Sequence, residues 1–295
     1  MKKHLFLILL IFTSAVYGQY KKENLTDKIE IILKDKKANI GVSIIESNNK
    51  KIVDIKGNDF FPMLSTVKFP IALTILDKVQ KKELSLNQKI FIKKEELLDD
   101  ETNWSPFKEK HPNGNLEITL EEALSWMVSH SDNNLTDILL RLIGGPQTVQ
   151  NFINSKNFII KNDEEDMHKD WESQFVNKIT PNEATRLLSK FNSEKILDKT
   201  TTKWLYNAML INASGGNRLK GKLPKNTKIA HRTGTSFTND NGMTGAINDM
   251  GIIELPNKKK IIICVLVNDT YESFKKSEEI IADIAKVTYE HYTSK

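Results

Sequence analysis

The sequence predicts an α/β chain of the α+β sandwich type, in which one antiparallel sheet is built from both chain ends, flanked by helices, with a helical lobe inserted between them. Two observations carry this prediction. Apolar residues recur at helical spacing through the middle of the chain. Runs rich in β-forming residues lie near both ends, at 39–46, 51–56, 226–236, 244–254 and 259–268. Strands that bracket a helical middle are joined most simply in a single sheet.

The elements at the two ends follow from local patterns. An apolar stripe that includes Leu25 and Ile29 predicts a helix over 24–36. The next two strands are joined through Ser-Asn-Asn-Lys at 47–50, which is typical of a hairpin turn. An amphipathic helix over 273–291 follows the last strand and can cover the sheet.

The middle of the chain is predicted to be helical. A first helix runs from Ser65 toward Lys78, and Pro70 should bend its early part because proline removes a backbone hydrogen bond. Further helices are predicted over 119–129, 134–143, 146–155, 181–191 and 198–211. The polar segment 157–180 is too long for an idle connection in a compact domain, so we expect it to carry function.

The N-terminus has the pattern of an export signal. Lys2 and Lys3 precede an apolar run that is far shorter than the roughly 20 residues that span a bilayer. We expect cleavage after Gly18, which leaves a periplasmic or secreted monomer with no membrane attachment. The predicted division is a signal peptide over 1–18, an α/β lobe formed by 19–64 and 213–295, and an all-α lobe over 65–212 that contains the 157–180 loop.

Composition argues against several classes of protein. A formal net charge of +5 over 295 residues is too small to suggest nucleic-acid binding. The single cysteine, Cys264, lies in an apolar run and is predicted to be a buried thiol, so no disulfide is expected. The histidines lack the paired spacing of a metal site, and we predict neither metal nor cofactor.

The most informative motif is Ser65-Thr66-Val67-Lys68. Residues three apart share a helix face, so the Lys68 amine can reach the Ser65 hydroxyl, and partial burial lowers the pKa of a lysine. Ser65 is therefore a candidate nucleophile with its own proton acceptor, although a lysine-rich chain also contains Ser-x-x-Lys by chance. If Ser65 opens the helix, its N–H is available to an oxyanion.

Two further motifs add candidate groups. Ser-Asp-Asn at 131–133 is either an ordinary helix cap or a loop that relays a proton and binds substrate. Arg-Thr-Gly-Thr-Ser at 232–236 is either a solvated surface strand or a sheet edge at which a cation, hydroxyls and bare backbone face one cleft. Arg218 and Arg232 are two of only four arginines, and arginine suits bidentate anion binding, which lysine cannot copy.

The order of these motifs on an exported chain of this length resembles the serine penicillin-recognising enzymes, most closely the class A β-lactamases. The resemblance covers residues 19–295. Finer detail around Glu164, at 217–221 and at 230–235 is similar to the subgroup that contains the VEB- and PER-type extended-spectrum enzymes.

The resemblance implies roles for individual residues. Ser65 would be acylated by the β-lactam with Lys68 in the proton path, Ser131 would protonate the leaving nitrogen, and Glu164 would activate the deacylating water. Acidic neighbours of Glu164 also allow a plain solvated loop.

Substrate contacts are implied as well. The backbone N–H groups of Ser65 and Thr235 would form the oxyanion hole. Arg232, Thr233 and Thr235 would recognise the substrate carboxylate. The remaining implied contacts are Asn133 to the side-chain amide, Gly234 and Ser236 along the strand, Arg218 as an extra guanidinium, Trp104 at the cleft mouth and His168 beside the water.

Three features depart from the family pattern. Arg232 replaces the usual lysine and keeps the charge with a different donor fork. His168 stands where asparagine is more common, so deacylation is expected to depend on pH. Asn162 and Asn177 occupy the places of an Arg–Asp pair that often clamps the loop, which leaves the loop path open and suggests a wider cleft suited to bulky cephalosporins.

The implied activity is hydrolysis of penicillins and cephalosporins, which are small-molecule β-lactams, through an acyl-serine. Two alternatives stay open. A D-alanyl-D-alanine carboxypeptidase would share Ser65 and Lys68 but would not need Glu164. A β-lactam-binding sensor domain would need a membrane tether, and the sequence has no such segment after residue 18.

Overall fold

The computed structural model describes residues 24–47, 50–98 and 103–294. The predicted signal peptide and its cleavage position lie outside these ranges. Within them, no helix combines the length and apolar character that crossing a bilayer requires.

Ten strands and ten α-helices are found in the described residues. The strands are β1 (Asn39–Glu46), β2 (Lys51–Ile55), β3 (Phe61–Pro62), β4 (Lys89–Ile92), β5 (Leu116–Thr119), β6 (Phe158–Ile159), β7 (Lys178–Ile179), β8 (Ile229–Thr235), β9 (Thr244–Glu254) and β10 (Lys260–Thr270). The helices are α1 (Leu25–Leu33), α2 (Lys68–Gln80), α3 (Pro106–Lys110), α4 (Leu120–His130), α5 (Asn133–Ile143), α6 (Pro146–Ile153), α7 (Glu164–Met167), α8 (Pro181–Asn192), α9 (Lys199–Leu210) and α10 (Phe274–Thr293).

A five-stranded antiparallel sheet joins the two ends of the chain, as the sequence predicts. Its spatial order is β2, β1, β10, β9, β8, and Asn39 of β1 lies opposite Asn268 of β10. Helices α1 and α10 cover one face, and α8 with the helical lobe covers the other. The central strands are therefore buried almost throughout.

The lobe between the sheet halves differs from the expected all-helical one. It centres on α2, whose residues from Lys68 to Asp77 are all buried. It also contains a two-stranded sheet in which β4 pairs with β5, with Ile90 opposite Ile118. These strands are only four residues each, too short for their alternation to be separated from the surrounding helical pattern.

The start of α2 also differs from expectation. A 3-10 turn over Leu64–Val67 precedes the helix, and Pro70 lies in the first turn of α2, where its missing N–H costs no intrahelical bond. A change of helix type thus replaces the expected bend. Leu64 has φ of 47°, a left-handed conformation that a non-glycine residue rarely adopts, directly before Ser65.

The 157–180 loop is anchored at both ends. Its strands β6 and β7 pair with each other, and β7 also pairs with β3, so Ile179 lies opposite both Phe158 and Phe61. Strand β3 ends two residues before the 3-10 turn that carries Ser65. The small sheet therefore fixes the loop beside the candidate nucleophile.

Candidate active site

Four distant parts of the chain line one cleft with a volume of about 1060 Å³. They are the 3-10 turn, the α4–α5 junction, the 157–180 loop and β8, and the segment around Trp104 borders the cleft as well. The predicted site residues that line the cleft are Ser65, Trp104, Ser131, Asn133, Glu164, His168, Thr233, Thr235 and Ser236.

Lys68 is the hub of the cleft floor. Its Nζ donates hydrogen bonds to Ser65 Oγ at 2.9 Å, to Asn133 Oδ1 at 2.8 Å, and to Glu164 Oε1. Burial lowers the pKa of Lys68, against the opposing effect of the Glu164 carboxylate, and the Arg232 cation lowers it further. The arrangement suits an amine that exchanges a proton with the Ser65 hydroxyl.

Backbone N–H groups face the same space. Ser65 is the second residue of the 3-10 turn, whose first N–H groups have no carbonyl partner within the turn. Directly after β8 the Ser236 N–H donates to the Ala246 carbonyl at 2.9 Å, and the N–H groups of consecutive residues in an antiparallel pair alternate in direction. The Thr235 N–H therefore points away from β9, toward the side of the edge strand on which the 3-10 turn packs.

Arg232 does not lie where the sequence placed it. Its side chain is fully buried beneath the cleft and donates to the carbonyls of Val128 and Ser65 at 2.9 Å and to Ser131 Oγ at 3.0 Å. Burial lowers its pKa to about 10. Side chains alternate along β8, so Arg232 faces the helical lobe while Thr233 faces the opposite side. The expected open cation is thus a buried donor to Ser131.

Gly234 also has a different role from the expected one. A Cβ at this position would lie 2.4 Å from the Met63 carbonyl oxygen and 3.1 Å from Leu64 Cβ. The missing side chain makes room for the turn before Ser65, not for an extended ligand.

Ser131 is held in a left-handed conformation, with φ of 61°, at the C-cap of α4. Because Arg232 donates to its oxygen, the Ser131 hydroxyl keeps its own proton for donation. The next residue, Asp132, is buried as the N-cap of α5 and accepts from Ser105 Oγ and Phe107 N, both at 2.8 Å. Ser-Asp-Asn therefore combines a structural cap with two groups in the cleft.

Asp137 is a site residue that the sequence analysis missed. Its carboxylate accepts from the backbone N–H groups of Glu164 at 2.7 Å and Glu165 at 2.9 Å, which fixes Glu164 beside Lys68. Asp137 follows Asn133 by four residues on α5, and that spacing on one helix face was the available signal. Burial, with the carboxylates of Glu164 and Asp163, raises the pKa of Asp137 to about 8.

This raised pKa gives a testable pH dependence. The folded state holds the Asp137 proton up to about pH 8, whereas an unfolded aspartate releases it near pH 3.8. Asp137 therefore makes the free energy of unfolding fall as pH rises through this window. Asparagine cannot titrate. Because about three pH units of linkage amount to about 4 kcal/mol, the Tm of Asp137→Asn should rise by about 10 °C relative to that of wild type between pH 5 and pH 8.5.

The measurement is thermal unfolding followed by circular dichroism across this pH range. Glu165→Gln, which changes an exposed neighbour, is the matched control and should track wild type. A Tm difference between Asp137→Asn and wild type that does not change with pH would contradict the prediction.

The loop is clamped by an amide instead of an ion pair. Asn177 Oδ1 accepts from the N–H groups of Lys161 at 2.8 Å and Asn162 at 3.0 Å, and its Nδ2 donates to the Asn162 carbonyl at 2.8 Å. Asn162 Nδ2 in turn donates to the Ser173 carbonyl at 3.0 Å. The loop path that the sequence left open is set by these bonds.

Removing the clamp should weaken both stability and deacylation. Asn177→Ala leaves two partly buried N–H groups without their acceptor, so we expect the free energy of unfolding to fall by about 2–4 kcal/mol. Urea unfolding measures this loss. Asn151→Ala, on the exposed side of α6, is the control. Unfolding of Asn177→Ala at the wild-type midpoint would contradict the assigned role.

The remaining predicted residues lie around the cleft. Trp104 is 57% exposed and is oriented by a bond of 2.9 Å from its Nε1 to the His130 carbonyl. His168 Nδ1 lies 2.6 Å from the Glu164 carbonyl oxygen, and because a carbonyl only accepts, Nδ1 carries the proton. Ser236 Oγ donates to Gln174 of the loop at 2.9 Å.

Arg218 is buried behind the β8 edge. It donates to Thr235 Oγ1 at 2.8 Å and to the Gly234 carbonyl at 3.0 Å, and it pairs with Glu278 of α10 at 3.2 Å. It therefore orients Thr235, which itself lines the cleft. Within the described ranges, no group of three or more acidic, histidine or cysteine side chains could hold a metal ion.

Comparison with known proteins places this geometry in a family. The family model described as the β-lactamase enzyme family matches residues 24–292. β-Lactamase VEB-1 of Pseudomonas aeruginosa is 45% identical over 299 residues, which cover 100% of this chain and 99% of that protein. Extended-spectrum β-lactamase PER-1 of the same organism is 32% identical over 286 residues, which cover 96% and 92%.

Solved structures agree. TLA-1 extended-spectrum β-lactamase superposes with a TM-score of 0.88 at 44% identity, over 92% of this chain and 98% of that one. A class A β-lactamase from Bacteroides cellulosilyticus gives 0.87 at 32% identity, over 92% and 100%. The predicted fold class and family resemblance are confirmed, and hydrolysis is favoured over the carboxypeptidase and sensor alternatives. The chain therefore belongs to the class A serine β-lactamases.

Proposed function

We propose that Ser65 Oγ attacks the β-lactam carbonyl carbon and forms the acyl-enzyme. The observation that carries this proposal is the buried Lys68 Nζ, 2.9 Å from Ser65 Oγ and in contact with Glu164. The hydroxyl proton passes to the Lys68–Glu164 pair as the C–O bond forms. The N–H groups of Ser65 and Thr235 receive the developing oxyanion.

Acylation is completed at the leaving nitrogen. The C–N bond of the lactam breaks, and the nitrogen takes a proton from the Ser131 hydroxyl. Arg232, which donates to Ser131 Oγ, stabilises the negative charge left on that oxygen. The proton then returns to Ser131 from Lys68, so the site is ready for the second half-reaction.

Deacylation uses Glu164. It takes a proton from a water that attacks the ester carbonyl, and the ester C–O bond breaks. The leaving Ser65 Oγ takes up this proton through Lys68, which contacts both groups, so that the Ser65 hydroxyl and the Glu164 carboxylate are restored. Asp137 positions Glu164 by holding its backbone N–H. His168 donates from Nδ1 to the Glu164 carbonyl and lines the cleft, so its ring lies next to the place where this water would bind.

The substrates are penicillins and cephalosporins, including those with bulky side chains. Trp104, Phe237 and Phe274 line the wide cleft and remain 57%, 50% and 43% exposed, which suits stacking on large acyl groups. The relatives PER-1 and TLA-1 are named extended-spectrum enzymes. The substrate carboxylate is placed at Thr233 and Thr235, and Asn133 contacts the side-chain amide.

The same proposal covers location and assembly. The apolar run after Lys2 and Lys3 favours export to the periplasm or medium, cleavage after Gly18 and a monomer free of the membrane. N-terminal sequencing of the exported protein and its elution volume on gel filtration test these points.

Turnover with purified protein tests the activity. Benzylpenicillin, a chromogenic cephalosporin and an oxyimino cephalosporin are followed by absorbance, with intact-mass spectrometry of the protein in parallel. We expect rapid hydrolysis of all three with little residual adduct. An adduct on wild-type protein that persists for many minutes would overturn the hydrolase assignment.

A further inference from the structure

Three buried polar side chains lie directly behind the Thr233 end of the cleft and take no part in the chemistry above. His231 and Asp249 are 0% exposed and Asn212 is 6% exposed. They come from β8, β9 and the segment after α9. Burying such groups is costly unless each is hydrogen-bonded, so their partners define what the array does.

Asp249 fixes the proton on His231. Both carboxylate oxygens lie 2.9 Å from His231 Nδ1, and one also accepts the Leu219 N–H at 3.1 Å. A carboxylate only accepts, so Nδ1 is the protonated ring nitrogen. The neutral ring then presents Nε2 as an acceptor on its other side.

The Asn212 amide fits this tautomer in one orientation. Its Oδ1 accepts the Ser214 N–H at 3.3 Å and its Nδ2 donates to the Ser214 carbonyl at 3.1 Å. These backbone bonds place Nδ2 against His231 Nε2 at 3.3 Å. The array therefore holds the Asn212 oxygen toward Ser214, and the same oxygen accepts a long bond of 3.5 Å from Arg232 Nη1.

The array ends in a pair of hydroxyls. Ser214 Oγ lies 2.9 Å from Asn212 Oδ1 and 2.6 Å from Thr233 Oγ1, and both residues line the cleft. When Ser214 donates to Asn212, the Thr233 hydroxyl donates its hydrogen bond to Ser214 Oγ and is not available to a ligand. When Ser214 turns to donate to Thr233, the Thr233 proton is free for a ligand in the cleft.

We propose that Asp249, His231 and Asn212 are positioning residues that hold the Ser214–Thr233 hydroxyl pair so that Thr233 donates its proton to the substrate carboxylate. The inference rests on the proposed placement of that carboxylate at Thr233. A carboxylate in the cleft selects the second arrangement, in which Ser214 donates to Thr233 and Thr233 donates to the carboxylate. The array contributes by fixing the position of Ser214 through the bonds between the Asn212 amide and the Ser214 backbone.

The tautomer of His231 is the first test and needs no substrate. Long-range ¹H–¹⁵N NMR of the wild-type protein should show a neutral His231 ring protonated at Nδ1. In Asp249→Asn the new amide N–H₂ faces Nδ1, so the ring proton should move to Nε2, where it opposes the Asn212 amide. A wild-type ring protonated at Nε2, or at both nitrogens, would overturn the proposal.

The second test compares benzylpenicillin with its methyl ester, which lacks the carboxylate charge. For Asp249→Asn we expect KM for the free acid to rise about tenfold at nearly unchanged kcat, and kcat/KM for the ester to stay within about twofold of wild type. An equal loss on acid and ester would refute a role in carboxylate recognition. If wild type has the same kcat/KM for the acid and the ester, the proposed placement of the carboxylate at Thr233 is refuted instead.

Asp249 also lies near Arg218, so its substitution could act through that residue. A double-mutant cycle with Ser214→Ala distinguishes an effect through the array from an effect through Arg218. Ser214→Ala alone should raise KM for the acid about two- to tenfold and leave the ester unchanged. In the Ser214→Ala background, Asp249→Asn should raise KM for the acid by no more than about a further twofold. An additional tenfold loss would mean that Asp249 acts through Arg218. Ser214→Ala also keeps the test open if Asp249→Asn does not fold.

Discussion

Glu164→Gln is expected to be acylated by benzylpenicillin but to hydrolyse the acyl-enzyme about 10²–10⁴-fold more slowly than wild type. The amide keeps the size of the side chain but cannot take a proton from water. Acylation should continue, because burial already lowers the pKa of Lys68, and loss of the Glu164 charge lowers it further. The neutral Lys68 amine can then accept the proton of the Ser65 hydroxyl without the help of Glu164.

Intact-mass spectrometry should show a lasting adduct of one penicillin on Glu164→Gln and none on wild type at the same time point. Glu165→Gln is a close control, since it changes an exposed carboxylate one residue away whose backbone N–H also contacts Asp137. Hydrolysis by Glu164→Gln at the parent rate would show that another group activates the water.

Ser65→Ala should form no adduct and should lose about 10⁴-fold or more in kcat, because no other group can carry the acyl intermediate. Binding should survive. The wall formed by Asn133 and Thr233 is untouched, so penicillin should still raise the Tm of this variant through mass action.

The control for this prediction is Ser193→Ala at the end of α8, which loses bonds to the carbonyls of Ser189 at 2.8 Å and Lys190 at 3.3 Å, far from the cleft. It should be acylated and turn over as wild type does. Adduct formation on Ser65→Ala, mapped by peptide digestion to a different residue, would move the nucleophile elsewhere.

Much of the fold follows from local patterns. Long segments with a strong apolar pattern lie close to their predicted positions. They are the strands β1, β9 and β10 and the helices α1 and α10. The pair β4–β5 and the short elements inside the 157–180 loop were not predicted, since segments of two to four residues carry too little periodicity. Their structure is decided by what they pair with.

The site divides in the same way. The Ser65–Lys68 contact is local, because three residues of helix fix its geometry, and the sequence alone established it together with the family motifs. The sequence placed Arg232 and Thr233 in one cleft, although adjacent residues of a strand point to opposite faces. Packing of the helical lobe on one side of β8 decided which of the two side chains meets the cleft.

The contacts that join distant segments were decided only by the tertiary structure. Arg232 reaches the Ser65 carbonyl across 167 positions, Asp137 reaches the Glu164 N–H across 27, and Asn177 replaces an expected ion pair with backbone hydrogen bonds. The sequence determined which chemical groups are present and the local spacing between them. Their burial, and hence the lowered pKa of Lys68 and the raised pKa of Asp137, exists only once the lobes close and exclude water, because desolvation belongs to the packed chain and not to any segment of it.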